Sequence, residues 1–297
     1  MNNIDAILTT IEEFQPLPHI AIRALELLDD PDVSSSELIS IIQYDQGITA
    51  NVLRISNSAY YGKRRRINSL AEGLVVLGNK ALKEIILTSS VAKIFSTENK
   101  GYQKATGELW KHAASTAIMA RLVAKHAKIV EDALLFTTAL LHDIGKLVLD
   151  SFVERYFEQI ISLVLEKNYS FIEAEKEMLS INHAEVGALL AEKWQFPKQI
   201  VESIRLHHTP ELASQKDMIT PIVHLANILT TLLGIGAGLD TFANRGKGEI
   251  LKRLKLTGKD IQIMMVSFYE DYQELEDLLC GGFQNGANDS GSYPAEE

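Results

Sequence analysis

The chain has 297 residues, of which 46% are hydrophobic, and it carries a formal net charge of −10. This length permits a sizeable hydrophobic core that can divide into two lobes. The negative charge would repel a phosphate backbone on average, so we expect no nucleic-acid partner unless a local basic patch compensates.

The compartment is predicted from the N-terminus and the cysteine content. The first residues, MNNIDAILTTIEEF, contain no basic segment and no long apolar stretch, so we expect no secretion signal. Cys280 is the single cysteine and cannot form an intramolecular disulfide, which suits a reducing compartment. We therefore predict a cytoplasmic protein.

Apolar residues recur at helical spacing along nearly the whole sequence, and the pattern contains no convincing strand. Three helix beginnings are marked by capping pairs, in which side chains satisfy free backbone N–H groups of the first turn. These pairs are Ser34 with Glu37, Ser69 with Glu72, and Ser170 with Glu173. Breaks between helices fall at residues 45–47, 60–62, 78–79 and 97–101. We predict an all-α fold.

Lys63, Arg64, Arg65 and Arg66 form the one strongly basic run. Short runs of this kind are usually solvated loops, which is our interpretation. The alternative is that these four residues form an anion-binding site.

The polar segment from Ser96 to Lys104 is the candidate boundary between two lobes. We predict an N-terminal helical lobe over residues 1–100, packed on a second helical lobe over residues 101–280. Residues 281–297 are rich in glycine, asparagine and serine and have little to bury, so we predict a disordered tail.

Five of the eight histidines and one aspartate in the second lobe form a pattern typical of a divalent-metal site. These residues are His112, His142, Asp143, His183, His207 and His208. Imidazole and carboxylate groups bind iron, manganese, zinc or nickel, and burying them together requires a metal or hydrogen bonds. We predict one metal site built from four segments, and the alternative is a set of unrelated core and surface histidines.

Spacing constrains how these ligands meet. Glu108 lies four residues before His112, so both can point from one helix face towards a single ion. Adjacent residues such as His142 and Asp143 diverge by about 100° around a helix. Both would reach one ion only if it lay between them.

The remaining histidines have ordinary interpretations. His126 is expected on a solvated helix face, and His19 in an early helix. His224 is either a core histidine with a hydrogen-bond partner, which we favour, or an outer neighbour of the metal site.

The stretch from Met218 to Leu239 is uncharged and long enough to span a bilayer. It contains Pro221, His224 and Asn227, and each unpaired polar group in lipid costs several kcal/mol. We interpret it as a buried helix followed by a glycine-rich loop, and we expect no membrane partner.

Several motifs together carry a family resemblance. The N-terminal ones are the most specific: PLP at residues 16–18, QYDQGITA at 43–50, LRISNSAYYG at 53–62, INSL at 67–70 and VLG at 76–78. The second lobe follows with WKH at 110–112, LHDIG at 141–145, HAEVG at 183–187 and the pair His207–His208. Over roughly residues 14–240 the chain resembles the HDOD family, a signalling-output relative of the HD superfamily of metal-dependent phosphohydrolases.

The resemblance implies an HD-type helical bundle for the second lobe and a role for each motif residue. The order of motifs is also similar to the HD-GYP branch of cyclic di-GMP phosphodiesterases. By that likeness, the HD ligands for one ion are His112, His142 and Asp143, and a second ion can be held by the three residues His183, His207 and His208. Lys146 matches a lysine near the substrate phosphate, so Lys146 and Asp143 would be catalytic if the protein is an enzyme. Glu108 matches a glutamate on the metal side.

Two departures from the family pattern bear on catalysis. Asn227 replaces the expected last aspartate, and TPE at 209–211 stands where the HD-GYP branch has glycine, tyrosine and proline. An asparagine offers a carbonyl oxygen but no negative charge, so we expect weaker metal binding at Asn227. A less neutralised ion is a stronger Lewis acid, however, so this change alone does not exclude turnover.

Three functions follow as hypotheses. The preferred one is a non-catalytic regulatory module that relays signals to other signalling proteins, with the metal pocket kept as a structural or effector site. The alternative is a metal-dependent phosphohydrolase acting on a nucleotide or cyclic dinucleotide. The third is a sensor that binds such a nucleotide without cleaving it, through the pocket or the basic run.

Overall fold

The computed structural model describes residues 3–14, 22–24, 27, 33–58, 66–95, 100–102, 107–130, 133–236 and 248–280, with side chains up to Tyr269. These residues form helices and turns and contain no strand, so the all-α prediction is confirmed. The helices are α1 (Asn3–Glu13), α2 (Ser35–Ile42), α3 (Gln46–Ser56), α4 (Leu70–Ile94), α5 (Glu108–His126), α6 (Ala133–Leu141), α7 (Gly145–Arg155), α8 (Phe157–Lys167), α9 (Phe171–Leu179), α10 (His183–Lys193), α11 (Lys198–Leu206), α12 (Ile219–Leu232), α13 (Gly248–Leu254) and α14 (Gly258–Cys280).

The predicted capping pairs begin three of these helices. The side chains of Ser34, Ser69 and Ser170 each accept a hydrogen bond from the backbone N–H three residues later. A reciprocal box that was not predicted, between Asn182 and Glu185, begins α10. It satisfies the backbone N–H groups of Asn182 and Glu185 on either side of His183.

The chain divides into two compact units. The described residues within 17–96 and 270–280 belong to one unit, and those within 1–16 and 97–269 belong to the other. The division between Ser96 and Thr97 falls inside the predicted boundary segment. The expected limits of 1–100 and 101–280 differ from this division at both chain ends, and at the N-terminal end the reason is that α1 packs with the larger unit.

Lys193 is one reason why α1 joins the larger unit. Its Nζ donates hydrogen bonds to the carbonyl oxygens of Ile11 at 2.8 Å and Phe14 at 3.2 Å. These carbonyls lie at the C-terminal end of α1, where a positive charge is favourable and where α1 has no basic residue of its own. The ring of Phe14 also lies 6.3 Å from that of Trp194.

Helices α2, α3 and α4 form the core of the smaller unit, with buried residues that include Leu38, Ile42, Val52, Leu82 and Ile86. The break predicted at residues 78–79 is a kink inside α4, where Gly78 has a φ of 73°.

In the larger unit, α5 packs against α6 and α12, and α10 packs against α7 and α11. Almost all of α12 is buried, and Gly234 and Gly236 follow it with positive φ, so the interpretation of the Met218 stretch is confirmed. Within the described residues, no helix is both long and apolar enough to cross a membrane.

Two glycines allow α7 and α10 to approach closely. A Cβ atom on Gly145 would lie 2.0 Å from the backbone oxygen of His183 and 2.6 Å from the backbone nitrogen of Gly187. A Cβ on Gly187 would lie 3.0 Å from Ile204. This contact brings the start of α10 next to the turn that carries Asp143.

Replacing Gly145 by alanine should therefore destabilise the protein. The new methyl group meets backbone atoms that cannot rotate away, so we expect a cost of about 2 kcal/mol or more. Thermal unfolding should show a fall in Tm of roughly 4–8 °C. Gly258→Ala is the matched control, because nothing lies within 4 Å of its Cβ position. Equal Tm values for the two variants would contradict this account.

Candidate metal centre

The structure brings all six predicted metal-site residues together. Among the described residues, two groups have possible ligand atoms within 4.8 Å of one another. One group consists of His112, His142 and Asp143, and the other of Asp143, His183, His207 and His208. The two groups share Asp143.

Helix ends supply most of these side chains. His142 and Asp143 lie in the turn between α6 and α7, not within one continuous helix. For this reason the divergence of 100° expected for helical neighbours does not apply, and His142 Nε2 lies 3.4 Å from Asp143 Oδ2. His183 begins α10, and His207 caps the end of α11.

The Asp143 carboxylate faces different partners with its two oxygens. Oδ1 lies 3.5 Å from His183 Nε2 and 3.7 Å from His207 Nε2. Oδ2 lies 3.7 Å from His112 Nε2 and accepts a hydrogen bond from Lys146 Nζ at 2.6 Å. Asp143 is fully buried.

The outer nitrogen of four histidine rings is held by a hydrogen-bond acceptor. The pairs are His112 Nδ1 with Ile235 O at 3.1 Å, His142 Nδ1 with Ala139 O at 2.7 Å, His183 Nδ1 with Glu175 Oε2 at 2.7 Å, and His207 Nδ1 with Ile204 O at 2.7 Å. A neutral ring that donates from Nδ1 has its lone pair on Nε2, which here points towards Asp143. Metal-binding histidines are commonly oriented by such partners.

Several atoms of the centre fit a metal ion. His142 Nε2, His207 Nε2 and Asp143 Oδ1 are buried and have no hydrogen-bond partner. A buried polar atom without a partner costs about 1–3 kcal/mol, and a divalent ion held by the second group would satisfy Asp143 Oδ1 and His207 Nε2. His183 Nε2 lies 3.0 Å from His208 Nε2. This matches adjacent ligands at right angles on an ion with bonds of about 2.1 Å.

Electrostatics favour the ligand forms of these groups. Burial raises the pKa of Asp143, but the nearby His142 and Lys146 outweigh it and hold the pKa well below its usual value. Burial and the neighbouring imidazoles hold the pKa of His207 and His208 well below 6.5. At neutral pH the carboxylate is therefore ionised and both of these imidazoles are neutral, as metal ligands must be.

Glu175 is a residue of the site that sequence analysis missed. It is completely buried in α9 and accepts hydrogen bonds from His183 N at 3.0 Å, His183 Nδ1 at 2.7 Å and Tyr102 OH at 2.6 Å. The signal lies in its spacing, since Glu175 falls four residues after Phe171 and four before Leu179, on the buried stripe of α9.

Tyr102 reaches Glu175 from a segment that is tightly seated on α7. Asp150 Oδ1 accepts a hydrogen bond from the backbone N–H of Gly101 at 3.0 Å. A Cβ on Gly101 would lie 2.1 Å from the backbone oxygen of Asp150, so only glycine fits there. The Lys146 ammonium lies 5.6 Å from the centre of the Tyr102 ring.

Two residues expected around the metal behave differently. Glu108 forms an ion pair with Lys111 at 2.7 Å, is partly exposed and belongs to neither group. Its position in the first turn of α5 leaves it nearer to solvent than His112, one turn further along. Asn227 is buried, and its Oδ1 lies 2.9 Å from His112 Nε2.

The other histidines and the basic run complete the comparison with the sequence. His224 is buried and donates from Nδ1 to the backbone oxygen of His207 at 2.7 Å, so it is a core histidine with a partner. His126 is half-buried at the end of α5. His19, residues 63–65 and the predicted tail lie outside the described residues.

Relatives of the chain agree with this architecture. A family model described as the HDOD domain matches residues 14–210. A curated relative, an uncharacterized protein from Treponema pallidum (strain Nichols), is 25% identical over 228 residues, which is 75% of this chain. The chain spans 43% of that relative's length.

Three solved structures are similar along nearly the whole chain. An HDOD domain protein of unknown function from Geobacter sulfurreducens has a TM-score of 0.72 at 25% identity and covers 94% of this chain and 99% of its own. A protein named "Putative phosphohydrolase" from Shewanella amazonensis SB2B has a TM-score of 0.69 at 20% identity. The match covers 93% of the present chain and 97% of the Shewanella chain. A protein named "Putative signal transduction protein" from Marinobacter aquaeolei VT8 has a TM-score of 0.71 at 18% identity. The match covers 95% of the present chain and 66% of the Marinobacter chain. Because the family model matches well over half of the residues, the chain belongs to the HDOD family.

Proposed function

We propose that this protein is a regulatory HDOD module of signal transduction, in which the histidine and aspartate cluster holds a divalent metal without turning over a phosphoester. The observation that carries the proposal is the position of Lys146. Its side chain is 3% exposed, and its ammonium donates to Asp143 Oδ2 at 2.6 Å. The charge that a hydrolase would direct at a phosphate is thus neutralised within the protein.

Recruiting Lys146 to a substrate would break this buried ion pair. Removing one partner of such a pair costs up to about 3–5 kcal/mol when the other charge is left uncompensated, and less when a bound metal ion compensates it. A phosphate would have to repay that cost before it gained any stabilisation in the transition state.

Burial of the ligand residues supports the same conclusion. Five of the six predicted ligands are at most 3% exposed, and His208 alone among them is partly exposed. A phosphoester that is attacked at the metal needs open coordination positions beside it. A closed cluster suits an ion that joins segments of the fold.

A bound ion would link the turn after α6 to the starts and ends of other helices, through Asp143, His183, His207 and His208. When bound, such an ion also supplies Lewis acidity. In the proposed module these residues bind and orient, and the output is a change in affinity for other signalling proteins in the cytoplasm. Nucleic acid and membrane are not proposed as partners.

The second candidate is a metal-dependent phosphohydrolase acting on a nucleotide or a cyclic dinucleotide. The convergence of all six positions favours it, as does the name of the Shewanella amazonensis structure. In that case Asp143 would bind the metal, and Lys146 would leave Asp143 to neutralise charge on the phosphate. A nucleotide that binds without cleavage is a variant of the first function.

Turnover assays separate the two candidates. Protein loaded in turn with Mn²⁺, Zn²⁺, Ni²⁺ and Fe²⁺ should release no product from a panel of nucleotides, cyclic di-GMP and simple phosphoesters. Calorimetry with the same nucleotides tests binding without cleavage. Metal-dependent product release that disappears in Lys146→Met would establish the hydrolase instead.

Metal binding should stabilise the fold through Asp143. A ligand at 100 times its Kd stabilises the folded state by about 2.7 kcal/mol, so saturating Zn²⁺ should raise Tm by several degrees. Asp143→Asn should abolish this rise, because the amide cannot supply the shared negative charge. Removal of metal by a chelator should return the wild type to its lower Tm. A rise of the same size in Asp143→Asn would remove Asp143 from the site.

Stability of the metal-free protein should fall on acidification below neutral pH. The pKa values of His207 and His208 are lowered in the folded state, so the unfolded chain takes up protons first as pH falls through about 6.5. The slope is at most about 1.4 kcal/mol per pH unit for each histidine. Urea unfolding at pH 7.5 and 5.5 measures it. His208→Gln should reduce the slope.

A further inference from the structure

We propose that the centre takes one divalent ion, bound by Asp143, His183, His207 and His208, and that Lys146 and Asn227 keep the other group free of metal. The histidine-pair group consists of Asp143, His183, His207 and His208. The asparagine group consists of His112, His142 and Asp143, together with Asn227. The inference rests on the metal-binding part of the proposed function and specifies its stoichiometry and position.

Charge distinguishes the two groups. Lys146 places an ammonium 2.6 Å from Asp143 Oδ2, the oxygen that faces His112 and His142. A dication bound to this oxygen would be a close neighbour of the ammonium, and the two would repel each other in a buried environment. On the opposite side, the Glu175 carboxylate lies 2.7 Å from His183 Nδ1. Glu175 thus adds a second carboxylate next to the histidine-pair group, whereas Asp143 is the only carboxylate of the asparagine group.

The number of carboxylates limits the centre to one ion. Asp143 is the only carboxylate in either group of possible ligands among the described residues. One dication with one aspartate leaves a small excess charge, whereas two dications and the Lys146 ammonium would share the same single aspartate. An aspartate at position 227 would supply the missing charge, but asparagine does not.

Asn227 also forms a hydrogen bond with His112 Nε2, the ring nitrogen that faces Asp143. Its Oδ1 lies 2.9 Å from His112 Nε2, and the two ends of an amide are interchangeable by a flip. Either the amide NH₂ donates to the lone pair of a neutral ring, or the oxygen accepts from a protonated ring. In both arrangements the Nε2 lone pair is unavailable to a metal.

The histidine-pair group keeps its ligand atoms directed at one point. Asp143 Oδ1 and His207 Nε2 are buried without a hydrogen-bond partner. His183 Nε2 and His208 Nε2 are 3.0 Å apart, and the His208 ring proton can move to Nδ1 to free both nitrogens. His142 Nε2 also has no hydrogen-bond partner, but one imidazole does not hold an ion without further ligands.

Zinc stoichiometry tests the inference directly. Metal-free full-length protein is dialysed against buffered Zn²⁺, and bound zinc per chain is measured by elemental analysis, with Kd from chelator competition. We expect one zinc per chain in the wild type. His208→Ala and His183→Gln should weaken binding at least 10-fold, whereas His112→Gln and the control His126→Gln should stay within about 3-fold.

A gain of binding provides the second arm. The double variant Asn227→Asp with Lys146→Met restores a carboxylate to the asparagine group and removes the competing ammonium, so it should bind two zinc ions. Lys146→Met breaks the buried pair with Asp143. Circular dichroism of every variant therefore checks folding in both arms, and a folded double variant that binds only one zinc ion would contradict the role given to Lys146 and Asn227.

Each outcome has a distinct meaning. Two zinc ions in the wild type, or a single ion lost in His112→Gln and kept in His208→Ala, would overturn the inference and leave the proposed function intact. No zinc in any folded protein would overturn both the inference and the metal-binding part of that function. Phosphoester turnover with one zinc bound would overturn the non-catalytic proposal alone.

Discussion

The carboxylate of Asp143 is the constraint on which the larger unit depends. A fully buried negative charge is tolerated only when cations, hydrogen bonds or a metal surround it. Lys146 and the imidazoles of separate segments provide these partners. The arrangement of α5, α7, α10 and α11 can therefore be understood as a shell around one charge, because displacing any of them exposes the carboxylate to an environment that does not compensate it.

Backbone fit makes this shell possible. Gly145 and Gly187 remove side chains at the place where α7 and α10 meet, so that His183 can approach Asp143. Gly236 does the same for α5, since a Cβ there would lie 2.5 Å from His112 Cβ. The glycines that allow close approach are therefore neighbours, in sequence or in space, of the candidate metal ligands.

Local signals were sufficient to predict the fold class and the convergence of ligands, but not the finer contacts. Capping pairs mark helix starts because they act within four residues, as at Ser170. The spacing of Glu175 indicates its burial in α9, but no local pattern reveals its hydrogen bond with Tyr102, which is 73 residues away. Glu108 remains a predicted neighbour of the metal. Its spacing from His112 is correct for one helix face, but Lys111 competes for its carboxylate and solvent is near.

The close packing of Gly101 against α7 affects the position of the His183 ring. The backbone N–H of Gly101 donates a hydrogen bond to Asp150. The hydroxyl of the next residue, Tyr102, donates to the Glu175 carboxylate, which also binds the His183 ring. Two hydrogen bonds therefore connect the Tyr102 hydroxyl, through Glu175, to the His183 ring. Since coupling between two sites is reciprocal, an interaction that fixes the His183 ring also fixes the Tyr102 side chain beside α9.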